Sequence, residues 1–197
     1  MGLARDVAVI GAGMTRFHHS IHSEKNSREI FLEAVRESLD SVDNGVSVKD
    51  IDALVIGGTV GEFFEGQSHY ASLMADWTGL LPIPSLRVET ACASSSAAIE
   101  VAALGIASGA YDTVLVGGVE RMSTLKTEDA TQALMSGVDM AYDHPAGVTN
   151  PALYAMMANA HFNRYGSRWE QLAAITIKNH HNATMNPKAQ WRREGLG

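Results

Sequence analysis

Cys92 is the single cysteine of the chain, set in SLRVETACASSSAAIEVAALGIASG between a short apolar run that ends at Glu89 and a run of small residues that starts at Ala93. This spacing predicts a thiol at a strand-to-helix turn, the device that lifts a nucleophile out of a sheet layer. The following helix opens on Ser94, Ser95 and Ser96, and the partial positive charge at a helix start favours a thiolate. The competing reading is an inert packing cysteine, since cysteine is among the most buried residue types. A thiol nucleophile also needs a base, and the eight histidines offer no spacing that selects one. No G-x-S-x-G segment occurs, which disfavours a serine nucleophile.

Other reactive residue types carry weaker patterns. GAGMTR, from Gly11 to Arg16, lacks the third glycine of a dinucleotide loop, so Gly11 and Gly13 are expected to serve close backbone packing at a sheet edge. No phosphate-loop motif is present. His18, His19 and His22 lie in a polar loop without a matched carboxylate or thiol set, and adjacent His180 and His181 face different directions on a helix; no metal site is expected. Glu62, Glu65 and Glu89 have no glycosidase-like pattern, whereas Glu89 and Glu120 are candidates for organising the turn around Cys92 or a subunit interface. Met122, Met135, Met140, Met156 and Met157 suit an adaptable apolar channel or loose packing equally. Tyr154, Phe162 and Tyr165 read as core or interface residues, and Arg192 with Arg193 as solvated cations that could also meet an anionic phosphate.

The elements that must position Cys92 follow from periodicity. Val7 to Gly11 is a β-branched run closed by GAG and predicts a buried strand. Arg28 to Val42 has helical spacing, with Asn26 and Glu29 as a capping box and Gly45 as a stop. Asp52 to Gly58 predicts a second buried strand, Gln67 to Thr78 a helix ended by Gly79, and Leu86 to Val88 a third strand after Pro82 and Pro84. Ala93 to Ser108 predicts a helix with almost no polar face, expected to be buried on most sides, and Asp112 to Gly118 a fourth strand. This alternation indicates an α/β layer fold with a mainly parallel sheet. Beyond Gly118 the rhythm changes to a mostly helical excursion, with helices over Pro151 to Tyr165 and Ser167 to Thr184 and a polar closing segment.

Composition narrows the function classes. A 197-residue chain that is 46% hydrophobic, with 18 glycines and 5 prolines, has globular composition. The net charge of -7 and scattered basic residues argue against a nucleic-acid surface. No apolar run reaches the length of a membrane span, and the start, MGLARDVAVIGAG, has no leader pattern. One cysteine fits a reducing compartment, so the expectation is a mature cytoplasmic protein.

VETACASSSAAIEVAALGIASGAYDTVLVGGVERMS resembles the nucleophile segment of the thiolase family, including its GG-x-E-x-M-S continuation. KNHHNATMNPKAQ is similar to the stretch that follows the catalytic-cysteine domain, and DVAVIGAGMTRF to the start of archaeal and sterol-carrier-protein-type thiolases. The resemblance implies a thiolase-like layered fold with helices on both faces of a mainly parallel sheet, as an amino-terminal portion. Residues 1–119 would be the sheet domain without its final strand, and 120–197 a helical loop-domain segment. It implies that Cys92 is the catalytic, acyl-accepting nucleophile in acetyl-CoA condensation or 3-ketoacyl-CoA thiolysis within lipid metabolism. Coenzyme A thioesters would be substrates, with no permanently bound cofactor. Full thiolases add a second half with a Gly-His-Pro histidine and a Cys-x-Gly cysteine, neither of which this chain carries; His144-Pro145 follows Asp143. The chain alone is therefore expected to be nearly inactive, as a truncation or as one component completed by a carboxy-terminal half. The resemblance also implies a homo-oligomer and, from archaeal relatives, a hydroxymethylglutaryl-CoA synthase and a small zinc-containing OB-fold protein as partners. Two further readings are a non-catalytic scaffold subunit and a ketoacyl-synthase-like component that takes carrier-bound acyl groups.

Overall fold

The computed structural model describes residues 4–18 and 20–192, so His19 and Arg193 lie outside the described residues. The described residues form two compact units, one within Met1–Thr15 and His22–Thr124, the other within Arg16–Ile21 and Leu125–Gly197.

The first unit is built on α1 (Ser27–Asp40), β1 (Ala53–Gly57), α2 (Gly61–Glu65), α3 (Tyr70–Trp77), β2 (Ser85–Val88), α4 (Ser94–Ala107) and β3 (Val114–Gly117). The expected capping box starts α1: the Asn26 side chain accepts from the N–H groups of Arg28 and Glu29 at 3.0 and 3.2 Å, and Glu29 accepts from Asn26 N–H at 2.8 Å. The three strands are parallel in the order β2-β1-β3, and Leu54 pairs with Ser85 on one side and Leu115 on the other. Central β1 is buried along its whole length, as its unbroken ALVIG run requires when helices cover both faces.

Strand alternation divides the core. Leu54, Ile56 and Leu115 pack with Phe31 and Val35 of α1 and Tyr70, Ala71, Met74 and Ala75 of α3. Val55 packs on the opposite face against Ala98 and Ala102 of α4, joined by Val88, Val114 and Val116. Each large apolar side chain fully withdrawn from water here contributes about 1.5–3 kcal/mol, so side chains such as Leu54, Ile56 and Met74 anchor the sheet unit.

Two expectations need correction. Val7 to Gly11 is irregular backbone that pairs with no strand among the described residues, and Val9 and Ile10 are 88% and 56% exposed. Its side chains suit a strand, but a strand exists only where a neighbour completes the hydrogen-bond ladder. The segment that follows lies against α1 instead. Ala12 N–H donates to Ser41 Oγ at 2.9 Å, and a β-carbon on Gly13 would collide with the Ala34 carbonyl oxygen. The close packing expected of Gly13 is thus against a helix and not a sheet edge. Second, α4 buries only the stripe Ser94, Ala98 and Ala102, while Ile99 and Leu104 are 58% and 53% exposed. The sheet can cover only one face of a helix, and no described element of this unit covers the other.

The second unit contains α5 (Thr127–Met135), α6 (Asn150–Tyr165) and α7 (Trp169–Met185). Thr149 caps α6 by accepting from Ala152 N–H at 3.4 Å, Pro151 sits in its first turn, and Gly166 ends it at φ 70°. Phe162 and Trp169 meet edge-to-face across that turn with ring centres 5.1 Å apart. Ala133 and Met135 are buried, whereas α6 and α7 have no buried residue. Among the described residues no helix is long and apolar enough to cross a membrane.

Candidate active site

Cys92 follows β2 and precedes α4 by two residues, as its spacing predicts, and its side chain is free and exposed. The turn is built on an uncommon backbone state. Ala91 has φ +50°, a left-handed conformation that costs a residue with a β-carbon about 1–2 kcal/mol. Hydrogen bonds hold it there. Ala91 N–H donates to Glu89 Oε1 at 2.5 Å, and its carbonyl accepts from the Ser94 hydroxyl at 2.6 Å. Ser94 Oγ also accepts from Thr90 N–H at 3.0 Å. The first serine of the SSS run is thus a buried clasp that closes the turn on itself.

The loop after β1 supplies a further contact. The Thr59 hydroxyl donates to the Ala91 carbonyl at 2.8 Å and lies 3.3 Å from Ser94 Oγ. Thr59 is fixed in turn: its N–H and that of Val60 donate to one oxygen of Glu120, at 2.6 and 2.9 Å. Glu89 and Glu120, both candidates from sequence, therefore reach the neighbourhood of Cys92 by different routes. Thr59 was not a candidate. Its signal lay in the paired GG endings of DALVIGG and DTVLVGG, because β1 and β3 run parallel with Ile56 opposite Gly117, and the same offset sets Thr59 beside Glu120.

Arg87 on β2 braces the same loop, donating through Nε to the Gly58 carbonyl at 3.1 Å and through Nη2 to the Thr59 carbonyl at 2.7 Å, and pairing with Glu62. Arg121 pairs with Glu65 at 2.7 Å, and Glu65 also accepts from Ser27. These partners account for Glu62 and Glu65 as structural carboxylates. Burial alone would raise both pKa values, but hydrogen bonds and charge, from Arg87 at Glu62 and from Arg121 and Ser27 at Glu65, hold them below the ordinary range. Burial, with Glu65 nearby, pushes the Tyr70 phenol up to about 12 despite its hydrogen bond with Ser27. Tyr70 therefore stays protonated, with its hydroxyl 3.1 Å from Glu65.

The remaining candidates lie elsewhere on the chain. His18 accepts from Ser20 N–H at 3.2 Å, and the described residues include no group of three or more His, Cys, Asp or Glu arranged to hold a metal ion. His144 contacts Gln132 at 2.9 Å, and His180 contacts the Thr176 carbonyl at 2.9 Å. Met135 is buried, while Met122, Met140, Met156 and Met157 are exposed, as are Tyr154 and Tyr165. Arg192 is exposed at the end of the described chain.

Comparison with known proteins bears on the family and the fold. The chain is 44% identical over 187 residues to an acetyl-CoA acetyltransferase of Methanocaldococcus jannaschii, covering 95% of this chain and 46% of that protein. It is 42% identical to the acetyl-CoA acetyltransferase of Methanothermobacter thermautotrophicus, covering 95% of this chain and 47% of the relative. The chain thus spans about half the length of the curated relatives it matches. Among solved structures, an acetyl-CoA acetyltransferase from Syntrophomonas wolfei has the same fold, with a TM-score of 0.70 at 22% identity over 90% of this chain and 46% of that one. Residues 7–195 match the family model of the thiolase amino-terminal domain, and the chain belongs to the thiolase family as an amino-terminal portion.

Proposed function

We propose that Cys92 is the acyl-accepting nucleophile of a thiolase-type acyltransferase acting on coenzyme A thioesters. The observation that carries this reading is the exposed thiol held at a left-handed strand-to-helix turn, in a chain of this family. Cys92 Sγ attacks the acyl carbonyl carbon, the bond between that carbon and the coenzyme A sulfur breaks, and the thiol proton leaves with coenzyme A. The products are an enzyme thioester and free coenzyme A. In the condensing direction, a second acyl-CoA loses an α proton and its carbanion attacks the thioester carbon, releasing 3-ketoacyl-CoA and the cysteine thiolate. Thiolysis is the reverse sequence.

The base, the α-proton acceptor and the donors for the developing oxyanion belong, on this reading, to the region that the relatives carry beyond these residues. Without such donors, several kcal/mol of transition-state stabilisation are lacking, and the described portion alone is nearly inactive. We assign residues 1–119 to the sheet domain and 120–197 to a mostly helical loop-domain segment. A cytoplasmic homo-oligomer in lipid metabolism, working beside a hydroxymethylglutaryl-CoA synthase and a zinc-containing OB-fold protein, completes the proposal.

The test is mass spectrometry of the native assembly after incubation with acetyl-CoA. An acetyl group on the Cys92 peptide, discharged by added coenzyme A, supports the assignment. A folded assembly whose Cys92 takes no acetyl group would overturn it. Acylation only from a carrier-bound donor would move the protein to the ketoacyl-synthase type.

A further inference from the structure

Ala91 could not keep its left-handed backbone without partners, and three of its four hydrogen bonds come from within its own turn, one with Glu89 and two from the backbone N–H and hydroxyl of Ser94. The fourth reaches it from the loop after β1, through the Thr59 hydroxyl at 2.8 Å. Thr59 is itself held by Glu120, just past β3, whose single oxygen collects the N–H groups of Thr59 and Val60. A side chain that only closes a local turn cannot fix that turn relative to the sheet; a contact from a neighbouring strand end can.

We propose that Thr59, locked by Glu120, is the positioning residue that sets the direction of the Cys92 thiol. This rests on Cys92 being the acyl acceptor. Thr59 touches neither thiol nor substrate in this account. It fixes the carbonyl of the preceding residue, and with it the peptide from which Cys92 projects. Because a misplacement of about 1 Å at a reacting centre can cost on the order of a hundredfold in rate, a single hydroxyl at this point controls the acylation step. Valine has nearly the shape of threonine and lacks the donor, so Thr59→Val isolates the hydroxyl. Thr59→Ser restores the donor without the methyl group.

Cys92 is the one cysteine of the chain, so alkylation by iodoacetamide followed by mass spectrometry on the Cys92 peptide reports on this thiol. In the native assembly, Thr59→Val is expected to lower kcat for acetyl transfer roughly tenfold with KM for acetyl-CoA little changed, and to alter the Cys92 alkylation rate. Thr59→Ser is expected to recover both. Glu120→Gln, which keeps an acceptor oxygen but weakens it, is expected to shift kcat in the same direction by less, and serves as the readout should Thr59→Val fail to fold. The inference fails if the folded Thr59→Val protein keeps wild-type kcat and alkylation, if Thr59→Ser is as impaired as Thr59→Val, or if Glu120→Gln has no effect. Failure of the acyl-acceptor reading looks different: the wild-type protein takes no acetyl group, while the alkylation rates of Thr59→Val and Thr59→Ser still decide whether the hydroxyl orients the thiol.

Discussion

Gly57 lies against the first turn of α4 so closely that a β-carbon there would stand 2.8 Å from the carbonyl oxygen of Ser94. The end of the central strand and the start of the helix behind Cys92 are thus in backbone contact, with no side chain to give way. Gly57→Ala must push the helix start outward. The expected cost is about 1–3 kcal/mol in urea unfolding, together with a changed rate of Cys92 alkylation. Wild-type values for both would mean that the helix start is not seated on the strand.

Arg121 and Glu65 pair at 2.7 Å with side chains only 17% and 13% exposed. Removing one member strands the other away from water. Arg121→Met is expected to destabilise the protein by about 2–4 kcal/mol, well above the cost of breaking a surface pair such as Arg5 with Asp112. Chemical denaturation of Arg121→Met beside Arg5→Met measures the difference, and equal losses would contradict it.

Acid should loosen the same region. Glu62 and Glu65 have folded-state pKa values below their ordinary 4.5, so their stabilisation is complete above that value and is lost as pH falls through the lowered ones. Unfolding free energy measured from about pH 6 down to about pH 3 is expected to decline most steeply below about 4.5. Glu65→Gln removes part of that dependence, so its deficit against wild type narrows as the solution is acidified. A deficit that stays constant over the range would show that Glu65 titrates alike in both states.

Cys92 is exposed, so Cys92→Ser should leave folding stability within about 0.5 kcal/mol of wild type while abolishing acetyl labelling. Thermal melts paired with mass spectrometry separate the two effects. A large fall in melting temperature would return the thiol to a packing role.

Much of the sheet unit could be read from local pattern alone. Asn26 and Glu29 mark the start of α1 because a capping box is a contact over three residues, and the apolar runs of β1 and β3 with their glycine endings mark strands covered on both faces. The turn at Cys92 was legible for the same reason. Thr59 was not, because its role depends on the pairing of strands whose sequence separation is 61 residues, as Ile56 with Gly117 shows. Val7 to Gly11 misled by the opposite route: its residues satisfy strand propensity, yet ladder formation is a property of two segments. The small-residue run of α4 likewise says that a close approach is possible on every side, and the sheet takes up only one.

Val7, Ala8, Val9 and Ile10 form an apolar stretch without charge or proline, exposed to solvent and without a ladder partner among the described residues. Peptide groups in such a stretch are a template for the same stretch of another molecule. Two copies meeting there would add strand to strand with no need to unfold anything first. Because such pairing takes two molecules, it would grow with the concentration of the chain.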